Sequence, residues 1–349
     1  MSAGARAACS AIAVLAAAVV AGCAAPVHEY RRIVMGAECR ILVCADEATA
    51  DRAAVAAFKR LAEVEESLSD WMAASEVRRL PVRAGEQVTV SVDLASAIEA
   101  SLAWSERTGG AFDATLGALT GAWRQARRTG VPLGRDEARE LVARCGWRNV
   151  RFDPRTRSYA PMVDGLRLDF GAIGQGIGAD AAMEAIRAAG VRSALVDLSG
   201  DVLAGDPPPG RRAWVVAIDD GRGTTLFLRN AAVTTSGDRE QHLDWGGARL
   251  SHVLDPATGW PVSTRVQVTA LAPTATEADA LATALCVMGP ERGRAVLAGH
   301  PEWTATWSWP DAPVATRAGP PAAAGQASPP APPGPAPASG PSEPGPSGR

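Results

Sequence analysis

The amino-acid sequence predicts an α+β domain, a mixed α/β body followed by a disordered Pro/Ala-rich tail. Three observations predict it. Helical and strand patterns are interspersed from about residue 33 to residue 310. From about Pro310 the composition turns to Pro, Ala, Gly and Ser, which cannot bury enough apolar surface to fold, so 311–349 is set apart as tail. The chain of 349 residues is long enough for one large core or two small ones.

In chain order, the first segment concerns the compartment. Arg6 is the only early charge, and Ile12 to Ala21 is an apolar run too short to span a bilayer as a mature helix. It ends in Val20-Ala21-Gly22-Cys23, which resembles the lipobox of bacterial lipoproteins. That resemblance implies a signal peptide over 1–22, lipid on Cys23 and a tether over 23–32. The protein would then be anchored to the cell membrane on its periplasmic, extracytoplasmic side; several acyl chains hold where one would not. The plainer alternative is an ordinary cleaved signal with a chance cysteine.

Beyond the tether the patterns give a strand at Glu38–Ala45 and a helix from Ala48 to about Leu68. A second helix is expected over Asp93–Arg107 with Asp93 as its cap, and a third over Asp136–Arg144. Gly165–Leu168 alternates like a strand. The run DFGAIGQGIGAD, residues 169–180, reads as a bare glycine turn, with a helix starting at Ala181. Strands are expected at 193–198, 213–219, 231–235, 248–254 and 266–272, a helix over Thr276–Met288, and a last strand at Thr304–Trp309.

Net charge is −3 and no basic block is present, which argues against nucleic acid; Lys59 is the sole lysine. Cys39, Cys44, Cys145 and Cys286 have no CxxC or zinc spacing and read as buried thiols.

Several clusters carry possible chemistry. The glycine run lacks both G-x-G-x-x-G and G-K-[ST], so it can cradle a phosphate or simply pack a helix. Asp197, at a strand end, keeps a ribose-binding Rossmann reading open. On a helix, Asp279 and Thr283 share one face at i and i+4, a hard-oxygen pair that suits Mg²⁺ over zinc. His252 precedes the turn Asp255-Pro256-Ala257-Thr258-Gly259 and is the side chain best placed for proton transfer. Ser236, His252 and Asp255 could be written as a triad, but no G-x-S-x-G elbow supports it. Phe112 in GGAFDATLGAL reads as core. Trp71 in SDWMAASEVRRL can stack on a planar ring or cover a core edge.

Taken together and in order, MGAEC, SDWMAASEVRRL, GGAFDATLGAL, LDFGAIGQGIGAD, ALVDLSGDV, VTTSGDREQ, HVLDPATGWPV and APTATEADALATAL resemble the ApbE family of flavin transferases, from Met35 to about Gly289. The resemblance implies a two-lobed fold and an enzyme, an FAD:protein FMN transferase. Such an enzyme uses FAD and Mg²⁺, moves FMN onto a Thr or Ser hydroxyl of a target protein as a phosphoester, and releases AMP. Its targets would be subunits of membrane redox complexes. It also implies site residues: Asp279, Thr283 and the Ala172 carbonyl for Mg²⁺, and Met35, Trp71, Ala111, Phe112, Asp113, Asp169, Gln175 and Val253 for FAD. His252 would be the catalytic base, with Asp238 orienting that region. Gln175 stands where many members carry Lys or Glu, Trp71 where Tyr is common, Pro81 where Asn often stands, and Ser199 for a usual glycine. The alternative is an FAD pyrophosphatase, yielding FMN and AMP, or a flavin-binding lipoprotein.

Overall fold

The computed structural model describes residues 25–218, 223–238, 241–262, 265–309 and 316–318. The signal segment, Cys23 and all of the tail except 316–318 lie outside these residues.

An eight-stranded sheet runs through the molecule: β1 (Val27–Val34), β2 (Ala37–Cys44), β3 (Ala194–Leu198), β4 (Asp201–Ala204), β5 (Ala231–Gly237), β6 (Gln267–Ala272), β7 (Thr304–Ser308) and β8 (Thr316–Ala318). Each strand pairs antiparallel with the one before it, so spatial order follows chain order. An antiparallel sheet with helices gathered on one face is α+β. It also removes the Rossmann reading, which needs parallel strands. Asp197 instead accepts Arg40 Nη2 at 2.9 Å and the Gly200 N–H at 3.1 Å.

The described residues form six α-helices: α1 (Glu47–Leu68), α2 (Val92–Arg107), α3 (Gly117–Thr129), α4 (Arg135–Val142), α5 (Gly174–Ala188) and α6 (Ala275–Ala298). The period-2 alternation of the strands sorts two cores. Ile41, Val43, Val196, Leu198, Val268 and Ala270 face α1, α5 and α6. Leu42, Leu195, Val202 and Val233 face the hairpin formed by Trp214–Ala217 and Thr225–Leu228. A third core gathers Leu119, Trp123 and Ala126 of α3 with Leu243, Leu250 and Leu254.

Four expectations change. The segment assigned to a tether is strand β1 from Val27 onward; its many charges belong to the exposed side of an edge strand, not to a linker. Ser91, not Asp93, caps α2 by accepting the Leu94 N–H, and Asp93 pairs with Arg60 of α1. Gly165–Leu168 is no strand; it makes one bridge, Leu116 to Arg167. The glycine run is not a turn throughout, because α5 already begins at Gly174.

The other expected elements fall near their places, and helix α3 is an addition to them. α6 opens with a capping box in which Thr274 and Glu277 bond reciprocally. Its regular course breaks at Gly289, with φ of 68° just before Pro290, one residue past the expected end at Met288. In the tail, 316–318 adds an edge strand to the sheet.

Candidate functional site

The first wall of the site is the contact of α5 with α6. A helix start leaves backbone N–H groups without intrahelical acceptors. Here the Gly176 N–H finds one outside its own chain segment, donating to Asp279 Oδ2 of α6 at 3.1 Å. The glycines make that approach possible. A Cβ on Gly176 would lie 2.4 Å from the Ala275 carbonyl oxygen, and one on Gly178 would lie 2.6 Å from Met35 Sδ. Glycine therefore serves close packing at 176 and 178, inside a helix, rather than a free loop.

Met35 owes its position to a hairpin. Val34 pairs with Ala37, so Met35-Gly36 is a two-residue turn, and both residues have positive φ (54° and 72°). That is the type I′ geometry, which follows the strand twist. It carries the Met35 side chain over α5.

Asp180 caps the neighbouring helix, accepting the Ala275 N–H, the Thr276 N–H and the Thr276 hydroxyl at 2.9, 2.9 and 2.6 Å. Strand register then adds Asp201 and Thr234, which sequence did not single out, beside Ser236. Asp201 of β4, with Thr234 and Ser236 of β5, takes the same alternation as Leu203 and Ala232, so these side chains face the helices. Ser236 Oγ lies 3.2 Å from Thr283 Oγ1. Asp279 and Asp201 are both buried, and burial is the main reason their carboxyls are pushed up. Each is a charge neighbour of another carboxylate: Asp180 acts on Asp279, and Asp279 acts on Asp201. No basic side chain pairs with Asp279 or Asp201 among the described residues.

These facts test the fit of a cation. Among the described residues, no three His, Cys, Asp or Glu side chains converge as a metal cage. A site here must therefore mix one carboxylate with neutral oxygens. The Ala172 carbonyl accepts none of the described backbone bonds of its turn, because Phe170 O takes the Ile173 and Gly174 N–H groups. Asp279, Thr283 and Ala172 thus supply hard oxygens beside acidic side chains that a bound cation would keep ionised, a donor set suited to Mg²⁺ completed by phosphate and water.

The second wall is built on α3. Arg124 Nη2 is 2.7 Å from Asp169 Oδ2 and also pairs with Asp70. Asp169 accepts the Gly171 N–H on Oδ1 at 2.8 Å, so the turn leading to Ala172 is fastened to α3. The Arg124 guanidinium lies 4.6 Å from the ring centre of Trp71, which is 67% exposed and keeps surface for another planar group. Trp123 donates its Nε1–H to the Gly259 carbonyl at 2.9 Å. Gly259 has φ of 68°, and a Cβ there would meet Val142 at 2.5 Å.

His252 stands beside this wall. Its Nδ1 lies 3.1 Å from the Gln241 carbonyl, an acceptor only, so Nδ1 carries the proton and Nε2 keeps the lone pair. Burial pushes its pKa down to about 4; Arg127 adds to this, while Gln241 and Asp238 oppose it. The ring is neutral at pH 7. The triad does not form: Ser236 bonds Thr283, and Asp255 folds its own turn by accepting the Ala257 N–H. Asp238 is buried, with Oδ2 lacking a hydrogen-bond partner among the described residues.

The other expected ligands divide. Gln175 is half-buried in the first turn of α5. Phe112 is buried in the main core, and Ala111 and Val253 are buried too. Asp113 accepts the Thr115 N–H, the Thr115 hydroxyl and the Trp147 N–H, and so ties two loops together. The structure thus joins Met35, Ala172, Gln175, Asp279 and Thr283 around α5 and α6, and Trp71 and Asp169 around α3.

A family model described as the ApbE family matches residues 35–307. The chain belongs to the ApbE family. Its relatives include the FAD:protein FMN transferase of Treponema pallidum, 35% identical over 84% of this chain and 88% of that protein. The protein of that name from Vibrio cholerae is 31% identical over 68% of this chain and 73% of the other. Among solved structures, an ApbE protein from Thermotoga maritima superposes with a TM-score of 0.75 at 29% identity, over 84% of this chain and 97% of that one. The apo flavinyl transferase ApbE of Pseudomonas stutzeri gives 0.74 at 27% identity, over 84% and 94%.

Proposed function

We propose that this protein, an ApbE-family FAD:protein FMN transferase, moves the FMN part of FAD onto a Thr or Ser hydroxyl of an acceptor protein and releases AMP. The observation that carries this reading is Asp279: a buried carboxyl beside Asp180 and Asp201, bonded to the start of α5 and paired with no basic side chain among the described residues. Asp279, Thr283 and the Ala172 carbonyl would hold Mg²⁺. When bound, the ion offsets the negative charge that grows on the diphosphate as it is cleaved.

The chain's own residues do the rest. Trp71 offers a face to a planar ring of the dinucleotide, and Met35 lies against α5 at Gly178. His252 Nε2, neutral and unprotonated, takes the proton of the acceptor hydroxyl. The hydroxyl oxygen forms a bond to the FMN phosphorus, the bridging P–O bond breaks, and AMP leaves with that electron pair. His252 then returns its proton to solvent.

Lipid on Cys23 would hold the enzyme on the periplasmic side of the membrane, where subunits of membrane redox complexes would be its acceptors. Cys23 lies outside the described residues, and the support is the Val20–Cys23 pattern.

The test is to mix the protein with FAD, Mg²⁺ and a candidate acceptor domain bearing an exposed Thr, then run a denaturing gel. Flavin fluorescence in the acceptor band, lost with chelator, is the expected result. AMP release with a dark acceptor band would instead establish FAD hydrolysis.

A further inference from the structure

One arginine ties the second wall together. Arg124 of α3 is mostly buried, and so are the two carboxylates it meets, Asp70 and Asp169. A single nitrogen reaches both: Nη2 lies 2.7 Å from Asp169 Oδ2 and also pairs with Asp70 Oδ2. The same nitrogen donates to Thr120 Oγ1 at 3.2 Å, and that hydroxyl donates to Asp169 Oδ2. Two carboxylates brought together out of water repel each other unless a cation lies between them. Burial and the neighbouring Asp169 push the Asp70 carboxyl up, and Arg124 opposes both. The carbon of the same guanidinium lies over the Trp71 ring, 4.6 Å from its centre.

The two carboxylates belong to separate segments of the chain. Asp70 stands next to Trp71 in the bend 69–75. Among the described residues, the other hydrogen bonds of that bend stay inside it or return to Glu65 of α1: the Met72 N–H donates to Ser69 Oγ, the Ser75 N–H to the Met72 carbonyl and the Ser69 N–H to the Glu65 carbonyl. Asp169 opens the second segment. Its Oδ1 accepts the Gly171 N–H at 2.8 Å, one residue before Ala172. No hydrogen bond or ion pair passes directly between the two segments among the described residues, and Arg124 is their shared partner. A continuous line of contacts therefore runs from the Trp71 ring through Arg124 and Asp169 to the backbone beside the Ala172 carbonyl.

We propose that Arg124 is a positioning residue for the transfer reaction. It holds the exposed Trp71 ring in register with the turn that leads to the Ala172 carbonyl. One side chain then sets both the face for a planar ring of the dinucleotide and the oxygen for the cation. The role uses two properties of a guanidinium: its charged fork of N–H donors binds carboxylates, and its planar, weakly hydrated group packs on an indole. A lysine keeps the charge but lacks the planar fork. The proposal rests on the flavin-transferase reading above.

The test uses the full chain and the variants Arg124→Gln, Arg124→Lys, Trp71→Ala and the double variant of Arg124→Gln with Trp71→Ala. FAD binding is read by flavin fluorescence, Mg²⁺ binding to the FAD-loaded protein by calorimetry, and folding by thermal melting. Arg124→Gln should weaken both FAD and Mg²⁺ about ten-fold. Trp71→Ala should weaken FAD by a similar factor and leave Mg²⁺ binding unmoved. The double variant should lose little more FAD affinity than either single variant, because both changes undo one arrangement. Arg124→Lys should restore most of the Mg²⁺ affinity and only part of the FAD affinity. Parental FAD and Mg²⁺ affinities in Arg124→Gln overturn the proposal, whatever its melting temperature, as do FAD losses that multiply in the double variant. Equal losses in Arg124→Lys and Arg124→Gln on every readout, melting included, would show a merely structural ion cluster and also overturn it. A parent that binds no FAD would refute the flavin-transferase reading itself.

Discussion

The two walls of the site are built on opposite terms. Between α5, α6 and the sheet, backbone approaches backbone so closely that Gly176 has no room for a Cβ, and the polar groups are buried carboxylates and hydroxyls. On α3 the groups are long, cationic and partly exposed, and one aromatic ring stands open to solvent. The first wall packs its polar groups closely against backbone; the second supplies charge and stacking surface. One is suited to a metal, whose oxygens must be placed closely, and the other to a large dinucleotide.

Substitutions should separate the two. The largest effects should come from the chemical groups. Asp279→Ala is expected to cut transfer at least a hundred-fold while the protein stays folded, measured by acceptor fluorescence and thermal melting. His252→Gln should cost about a hundred-fold to ten-thousand-fold in transfer and leave FAD binding intact; equal transfer would remove His252 as the base.

Next in size is the close contact. Gly176→Ala must push α5 from α6 and should destabilise by about 1–3 kcal/mol, read as a lower melting temperature. On the open wall, Trp71→Ala should change stability by less than about 0.5 kcal/mol, as fits an exposed side chain. It should still weaken FAD binding by about 1–3 kcal/mol.

The smallest effects sharpen the contrast. At Gly174 the nearest atom to a Cβ is Phe170 Cβ at 3.6 Å, an ordinary contact. Gly174→Ala should therefore stabilise, by about 0.4–1 kcal/mol, two residues from a position where the same change does harm. The pH dependence has a definite sign. Folding lowers the pKa of His252 from 6.5 to about 4, so the unfolded chain binds the extra proton, and stability rises with pH between those values. His252→Gln should flatten that part of the denaturation profile.

How much of this was legible in sequence follows the same division. The Asp279 and Thr283 pair on α6 is a local i, i+4 pattern, and it stands on the helix as the sequence places it. The glycine run misled because helix propensity is a weak prior, and here tertiary packing overrode it. Helix α3 was passed over although its buried Leu119, Trp123 and Ala126 repeat at helical spacing; two glycines and a polar remainder masked the stripe. Asp201 and Thr234 were beyond reach, since only strand register shows that they face α6.

Strand β1 also sets a leash. It begins four residues after Cys23 and ends at the Met35 corner, where the chain turns against α5. Seven steps of strand span about 23 Å, and four extended residues add about 14 Å. With Cys23 lipidated as proposed, that corner can stand no more than about 40 Å from the bilayer surface. The enzyme would then serve only hydroxyls presented within that shell, and insertions between Cys23 and Val27 would widen it without touching the chemistry.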